Sequence, residues 1–382
     1  MSEAIVPFTL AIEESRLDDL RRRLDFTRWP DSEVVDDWSQ GAPLSLVTSL
    51  IDYWRTQYDW RRCEKQLNSL GQYMTHIDGI DIHFLHIRSK HHDALPLILT
   101  HGWPGSVIEF LKCVGPLVDP TAHGGQASEA FHVVIPSLPG YGFSGKPREK
   151  GWTVKRIAKA WHVLMRRLGY DRYVAQGGDW GAVITTAMGI ERPDGLAAIH
   201  LNLPLVRPRE PGMNLSESEA RMLEQLKFYA RWDSGYASQQ STRPQTLGYA
   251  LADSPAGQAA WIYEKFHAWT DHDNRGGSPE STLTQDEMLD NIMLYWLPNT
   301  GTSSARLYWE SYRNAFLAAE LHLPTGCSIF PKDIYAAPRS WAERCIHDLI
   351  YWNELDRGGH FAAFEQPALF VGELSNCFRS IR

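Results

Sequence analysis

The sequence predicts an α/β fold, a mostly parallel sheet covered by helices, with a helical block inserted late in the chain. Three observations carry this expectation. Short continuous apolar runs, Leu95–Thr100 and Phe131–Ile135, suit strands buried on both faces. Helix-sized segments such as 153–168 separate those runs, and that alternation is the pattern of a parallel sheet. One run, Tyr173-Val174-Ala175, leads into Gln176-Gly177-Gly178-Asp179-Trp180-Gly181, a sharp strand-to-helix turn that presents a carboxylate.

Residues 1–68 read as helical and irregular. Ile12, Leu17, Leu20 and Leu24 recur near helical spacing, with Arg21-Arg22-Arg23 between them. This helix should stop near Thr27–Pro30, since proline disfavours helix at the residue before it. A second helical run covers 44–58, and the whole region is expected to be a packing segment. Strand character begins near Tyr73 and continues at Ile80–Ile87, after the turn at Asp78-Gly79. Leu196–Leu201 follows the helix after Asp179. The alternation ends near Pro208. Residues 209–318 read as mainly helical, with a polar loop over 273–279, and strands resume at 327–330 and 348–352. The expected division is 1–68 packing segment, 69–208 first part of the core, 209–318 helical cap, and 319–382 second part of the core. Such a cap would cover the C-terminal strand edge, where open α/β sheets bind ligands.

Composition narrows the class. The 382 residues are 43% hydrophobic, enough for a large core, and the net charge is −8 without a long basic run. Nucleic acid is therefore not an expected partner. The five cysteines are scattered, with no CxxC spacing, and suit free thiols in a reducing compartment. The first 17 residues lack a signal-peptide layout, and no apolar run approaches a bilayer-spanning length. A cytoplasmic protein is expected. Fifteen tryptophans is a heavy load; many are expected in the core, and some could line an apolar cavity.

The candidate chemistry starts at Asp179. Most aspartates before a helix are caps or surface groups. Here glycines at 177, 178 and 181, a preceding strand and a following run of small residues favour a nucleophile. A serine in such a turn attacks acyl carbon. A carboxylate instead displaces at alkyl carbon and leaves an alkyl ester to be hydrolysed. Taken alone, the turn leaves epoxide and carbon–halogen bonds equally open. The His101–Ser106 turn follows the strand at 95–100, where the Trp103 N–H can serve as an oxyanion donor beside that of Trp180. A cis Trp103–Pro104 bond would suit that turn, and His101 reads as structural. His360, in Asp356–Ala363, is the candidate base, because nucleophile, acid and histidine then fall in the chain order of this architecture. Its orienting acid should lie after the strand at 327–330, which favours Asp333; Glu354 and Asp356 compete by nearness in sequence.

These residues, with Phe26–Pro30, Tyr58–Arg61, Pro136–Ser144, Ser241–Pro244 and Gly358–Ala363, form a pattern seen elsewhere. The chain resembles epoxide hydrolases of the α/β-hydrolase superfamily, in the branch similar to microsomal, insect juvenile-hormone and fungal epoxide hydrolases. The resemblance runs essentially end to end. It implies an α/β-hydrolase core with a helical cap and an N-terminal segment wrapping both. It also implies hydrolysis of a small apolar epoxide to a vicinal diol by an ester on Asp179, with no cofactor or metal. Its acid position falls on Asp333. Its two cap tyrosines, which hydrogen-bond the epoxide oxygen, fall on Tyr308 and Tyr236, with Tyr229 and Tyr249 near the latter. Microsomal members carry an N-terminal membrane anchor and this chain starts at the packing segment, so no membrane anchor is expected; a homodimer is compatible. Haloalkane dehalogenases share the aspartate and histidine, but many place a halide-binding Asn where this chain has Trp103. A catalytically idle, ligand-binding relative would be expected to lack part of the triad.

Overall fold

The computed structural model describes residues 3–206, 214–272, 278–315 and 320–382. Among the described residues, nine strands form one sheet in the order β1-β2-β3-β5-β4-β6-β7-β8-β9. They are β1 (Val6–Pro7), β2 (Gln72–Ile77), β3 (Ile80–Ile87), β4 (Leu95–Thr100), β5 (Phe131–Pro136), β6 (Tyr173–Gly177), β7 (Leu196–Leu201), β8 (Thr325–Ile329) and β9 (Leu349–Glu354). From β5 to β9 every pairing is parallel, and β1 to β3 add an antiparallel edge. All residues of β5 and β6 are buried, as their apolar runs require of strands covered on both faces.

The N-terminal segment holds α1 (Glu14–Asp25), α2 (Leu44–Thr56) and α3 (Trp60–Ser69). The first two match their expected spans within a few residues. In α1, Leu17, Leu20 and Leu24 form the buried stripe that helical spacing implies. The two-residue β1 was not expected, because so short a segment, half of it proline, carries no alternation to detect. In the core, α4 (Leu111–Val118), α5 (Val154–Arg167) and α6 (Trp180–Glu191) accompany the central strands. Helix α6 is buried from Trp180 to Gly189, so its small residues let it lie close beneath the sheet ends.

Between β7 and β8 stand α7 (Glu217–Phe228), a π turn (Tyr229–Asp233), α8 (Gly235–Thr242), α9 (Pro244–Asp253), α10 (Pro255–Trp269), α11 (Gln285–Trp296) and α12 (Gly301–Ala315). Residues 207–213, where the alternation was expected to end, and 273–277 of the polar loop lie outside the described residues. The N-terminal segment is fastened to this block. Asp290 of α11 accepts hydrogen bonds from Arg62 at 2.8 Å and from the Tyr58 hydroxyl at 2.7 Å, while Trp38 stacks on His267 at 3.6 Å. The chain closes with α13 (Arg339–Cys345), α14 (Ala362–Glu365) and α15 (Pro367–Cys377). All five cysteines are free and buried. Among the described residues no helix is long and apolar enough to cross a membrane.

Candidate active site

Asp179 joins the C-terminal end of β6 to α6 with φ 51° and ψ −128°. That is a sharp turn which a non-glycine residue adopts only when its surroundings impose it. The imposing contacts are close. A methyl group on Gly181 would lie 1.9 Å from the Thr100 carbonyl oxygen, so only glycine lets the turn sit against the end of β4. A methyl group on Gly102 would lie 2.1 Å from Asp179 Oδ1. The parallel register Thr100↔Gly177 thus brings the His101–Ser106 turn beside Asp179.

The two carboxylate oxygens of Asp179 face different partners. The Trp103 N–H donates to Oδ1 at 2.7 Å, and His360 Nε2 lies 3.4 Å from Oδ2. The other imidazole nitrogen, Nδ1, lies 2.6 Å from Asp333 Oδ1. An isolated parallel bridge, Lys332↔Gly359, brings those two loops together. Among the competing acids, the structure brings Asp333 to His360. Glu354 is exposed at the end of β9 and accepts from Trp352 Nε1, and Asp356 is also exposed. The Trp103–Pro104 bond is cis. His101 is buried, with Nδ1 at 2.9 Å from the Gly102 carbonyl and Nε2 accepting from the Leu138 N–H, so it braces the turn as a neutral ring. Burial lowers its pKa to about 4.

Electrostatics bind the three groups together. Burial alone would lower the His360 pKa. The Asp333 and Asp179 carboxylates outweigh it, and the net shift is well upward. The resting site therefore holds an imidazolium between two carboxylates, the His360 and Asp333 side chains each only 3% exposed.

The helical block supplies the facing wall. Tyr236, at the start of α8, stacks on Trp103 with centroids 4.7 Å apart, and Tyr308 of α12 meets Trp180 edge-on at 4.8 Å. Both tyrosines are held well above the ordinary phenol pKa, first by burial, so their hydroxyls stay protonated. The Tyr308 hydroxyl has no hydrogen bond of good geometry, although Tyr236 lies beside it. A buried hydroxyl left so costs about 1–3 kcal/mol, which marks it as a donor kept open. The Tyr229 hydroxyl lies 3.1 Å from that of Tyr236, whereas Tyr249 is 72% exposed. A cavity of about 250 Å³ lies between Asp179 and these tyrosines, walled by apolar side chains such as Leu203, Val206, Met222 and Ile334.

Several groups that sequence reasoning missed hold this arrangement. Glu365 accepts from the N–H groups of Gly359, Phe361 and Asp271, at 3.1, 3.0 and 2.7 Å, and so pins the His360 loop. The Trp269 carbonyl accepts the His360 N–H at 2.8 Å. Asn291 donates to the Pro104 carbonyl and accepts from the Ser106 hydroxyl, both at 2.7 Å, and Tyr295 donates to the Gly105 carbonyl at 2.6 Å. No sequence signal marked them: the Trp269 carbonyl, Asn291 and Tyr295 act on neighbours far along the chain, and the Glu365 side chain binds backbone N–H groups, which leave no mark in the sequence. Among the described residues, one cluster has ligand atoms close enough to hold a metal ion, Glu320, His322 and His347. It is exposed and lies before β8 and β9, at the opposite end of the sheet from Asp179.

A parallel sheet, a strand-to-helix turn bearing a carboxylate, and a histidine–aspartate pair at the same strand ends define an α/β hydrolase with an aspartate at the nucleophile position. Residues 5–110 match the epoxide hydrolase N-terminal family model, and residues 96–252 match the alpha/beta hydrolase fold. A putative epoxide hydrolase of Stigmatella aurantiaca is 61% identical over 99% of this chain and 86% of that protein. Epoxide hydrolase 1 of Sus scrofa is 37% identical over 97% of this chain and 88% of its own length. The solved Aspergillus niger epoxide hydrolase superposes with a TM-score of 0.88 at 33% identity, covering 99% and 97% of the two chains. Juvenile hormone epoxide hydrolase from the silkworm Bombyx mori superposes at 0.90 with 29% identity, covering 100% and 95%. The chain belongs to the epoxide hydrolase family, and it is an epoxide hydrolase.

Proposed function

We propose that this enzyme converts a small apolar epoxide to a vicinal diol through an ester on Asp179, with the block between β7 and β8 acting as a cap. The observation that carries this reading is the division of labour between the two Asp179 oxygens. Oδ1 is held by the Trp103 N–H, which leaves Oδ2 as the nucleophile. Oδ2 bonds to an epoxide carbon as the ring C–O bond breaks. The departing oxygen takes a proton from Tyr308 or Tyr236, whose raised pKa values keep them as donors until charge develops.

Ester formation removes the Asp179 charge, one of the two that hold His360 protonated. The imidazolium can then release its proton, and the tyrosinate left by ring opening takes it up. Neutral His360, oriented by Asp333, accepts a proton from water as the water oxygen bonds to Asp179 Cγ. The charge that builds on Oδ1 meets the Trp103 N–H already in place, beside the N–H of Trp180, and such a donor contributes roughly 10²–10³ in rate. The bond from Cγ to the alkylated oxygen breaks, and the diol leaves with the proton held by His360.

A single turnover in ¹⁸O water tests this. The label should enter the Asp179 carboxylate, read from the mass of the peptide that contains it, and the diol should be unlabelled. Label in the diol would instead mean direct attack of water on the epoxide.

A further inference from the structure

A second, much smaller cavity lies on the core side of Asp179, away from the apolar one. Its volume is about 20 Å³, room for one water. Its lining includes Asp179, His360, Glu109, Thr100 and Gln176. Two of these carry polar atoms with no partner in the protein, Thr100 Oγ1 and Gln176 Oε1, although both residues are almost completely buried. Buried oxygens without partners, around a space of this size, are what an ordered water satisfies.

Glu109 is fixed in that wall by its surroundings. It lies in the 3-10 turn after the His101–Ser106 loop and closes a capping box with Ser106, whose N–H donates to Oε1 at 3.1 Å. A methyl group on Gly105 would lie 1.3 Å from that same oxygen, so the carboxyl packs flat on the glycine backbone. Oε1 is the oxygen used in the capping box, which leaves Oε2 as the second carboxyl oxygen of a residue that lines the cavity.

We propose that this cavity holds the water that hydrolyses the Asp179 ester, and that Glu109 positions it by donating a hydrogen bond from its neutral carboxyl. The assignment rests on the ester mechanism above. The water donates to His360 Nε2 and to Gln176 Oε1 or Thr100 Oγ1, accepts from Glu109, and aims its remaining lone pair at Cγ. Burial raises the Glu109 carboxyl to about 8, with His360 opposing and Asp179 adding to the shift, so the group carries its proton at neutral pH. Glu109 exchanges no proton in the step. The water proton passes to His360, the bond from oxygen to Cγ forms, and the diol oxygen leaves with the imidazolium proton. A Glu109 that served only the capping box would matter to both half-reactions or to neither.

Quench-flow with styrene oxide, followed by intact-protein mass, separates alkylation from ester hydrolysis. Glu109→Met should slow ester hydrolysis about tenfold more than alkylation, the factor expected for one lost hydrogen bond of about 1.4 kcal/mol. Glu109→Gln, whose amide keeps both the Ser106 acceptor and a donor, should stay within about threefold of wild type. Thr100→Val breaks no bond within the protein and covers the case in which Glu109→Met does not fold. It should slow hydrolysis alone, about threefold or more. Equal slowing of both half-reactions, unchanged hydrolysis in Glu109→Met and Thr100→Val, or a Gln variant as slow as the Met variant would each overturn the assignment. A wild-type enzyme that forms no adduct would instead bring down the ester mechanism itself.

Discussion

At the scale of single residues, the proposed mechanism works by moving one charge. Asp179 and Asp333 together hold His360 as an imidazolium against the cost of burial. Asp179→Asn is neutral, as the ester is, and should lower the His360 pKa because one of the two raising charges is gone. NMR titration of the ring in both proteins checks this, and an unchanged pKa would show that Asp333 alone sets it. Asp179 and His360 are legible in the sequence because glycines mark backbone that side chains cannot occupy, and such marks survive without the fold. The acid was less legible. Asp333, Glu354 and Asp356 look alike until the Lys332↔Gly359 bridge pairs one loop with another. Tyr236 and Tyr308 came only from the family resemblance, since a tyrosine on a helix that lines a cavity has the same local sequence as one that packs. Glu109 lay unread just beyond the His101–Ser106 turn, because what distinguishes it is a cavity.

At the scale of elements, the catalytic turns depend on helices from the inserted block. Helix α11 holds the His101–Ser106 turn through Asn291 and Tyr295. Asn291→Ala should cost about 2 kcal/mol of stability, from two hydrogen bonds of about 1 kcal/mol each. It should also slow both half-reactions, since the Trp103 N–H is anchored through this turn. Urea unfolding and the two rate constants test both parts, and full rates with normal stability would show that the turn holds itself. Among the elements, β4, β5 and β6 were legible because apolar runs bounded by turn residues suit few other structures. Neither α3, with only three buried side chains in ten residues, nor the two-residue β1 carries a pattern long enough to read.

At the scale of the whole molecule, stability should depend on pH through buried groups of opposite sign. Glu109 and Glu365 are raised by burial to about 8 and about 7, so the folded protein binds their protons more tightly than the unfolded chain. Their contribution is complete below the ordinary carboxyl pKa of about 4 and is lost as pH rises through 7 and 8. His83, His101 and His200 are lowered by burial to about 3, 4 and 3, so their contribution grows as pH rises to about 6.5 and then stays constant. The melting temperature should therefore fall between pH 6.5 and 8.5; a rise over that interval, measured by scanning fluorimetry, would contradict these assignments. The overall layout of sheet, late helical block and N-terminal segment was legible from the order of its periodicities. The fastening of that segment to α11 through Tyr58, Arg62 and Asp290 was not, because the partners lie more than 200 residues apart. The wall that carries the carboxylate and the wall that carries the phenols come from different layers of the molecule, the sheet and the helical block. In the mechanism proposed above, a substrate bridging them is entered by the nucleophile from one side while its oxygen is drawn to the other. The attacked carbon is thereby inverted, and an epoxide fused to a ring should emerge as the trans diol.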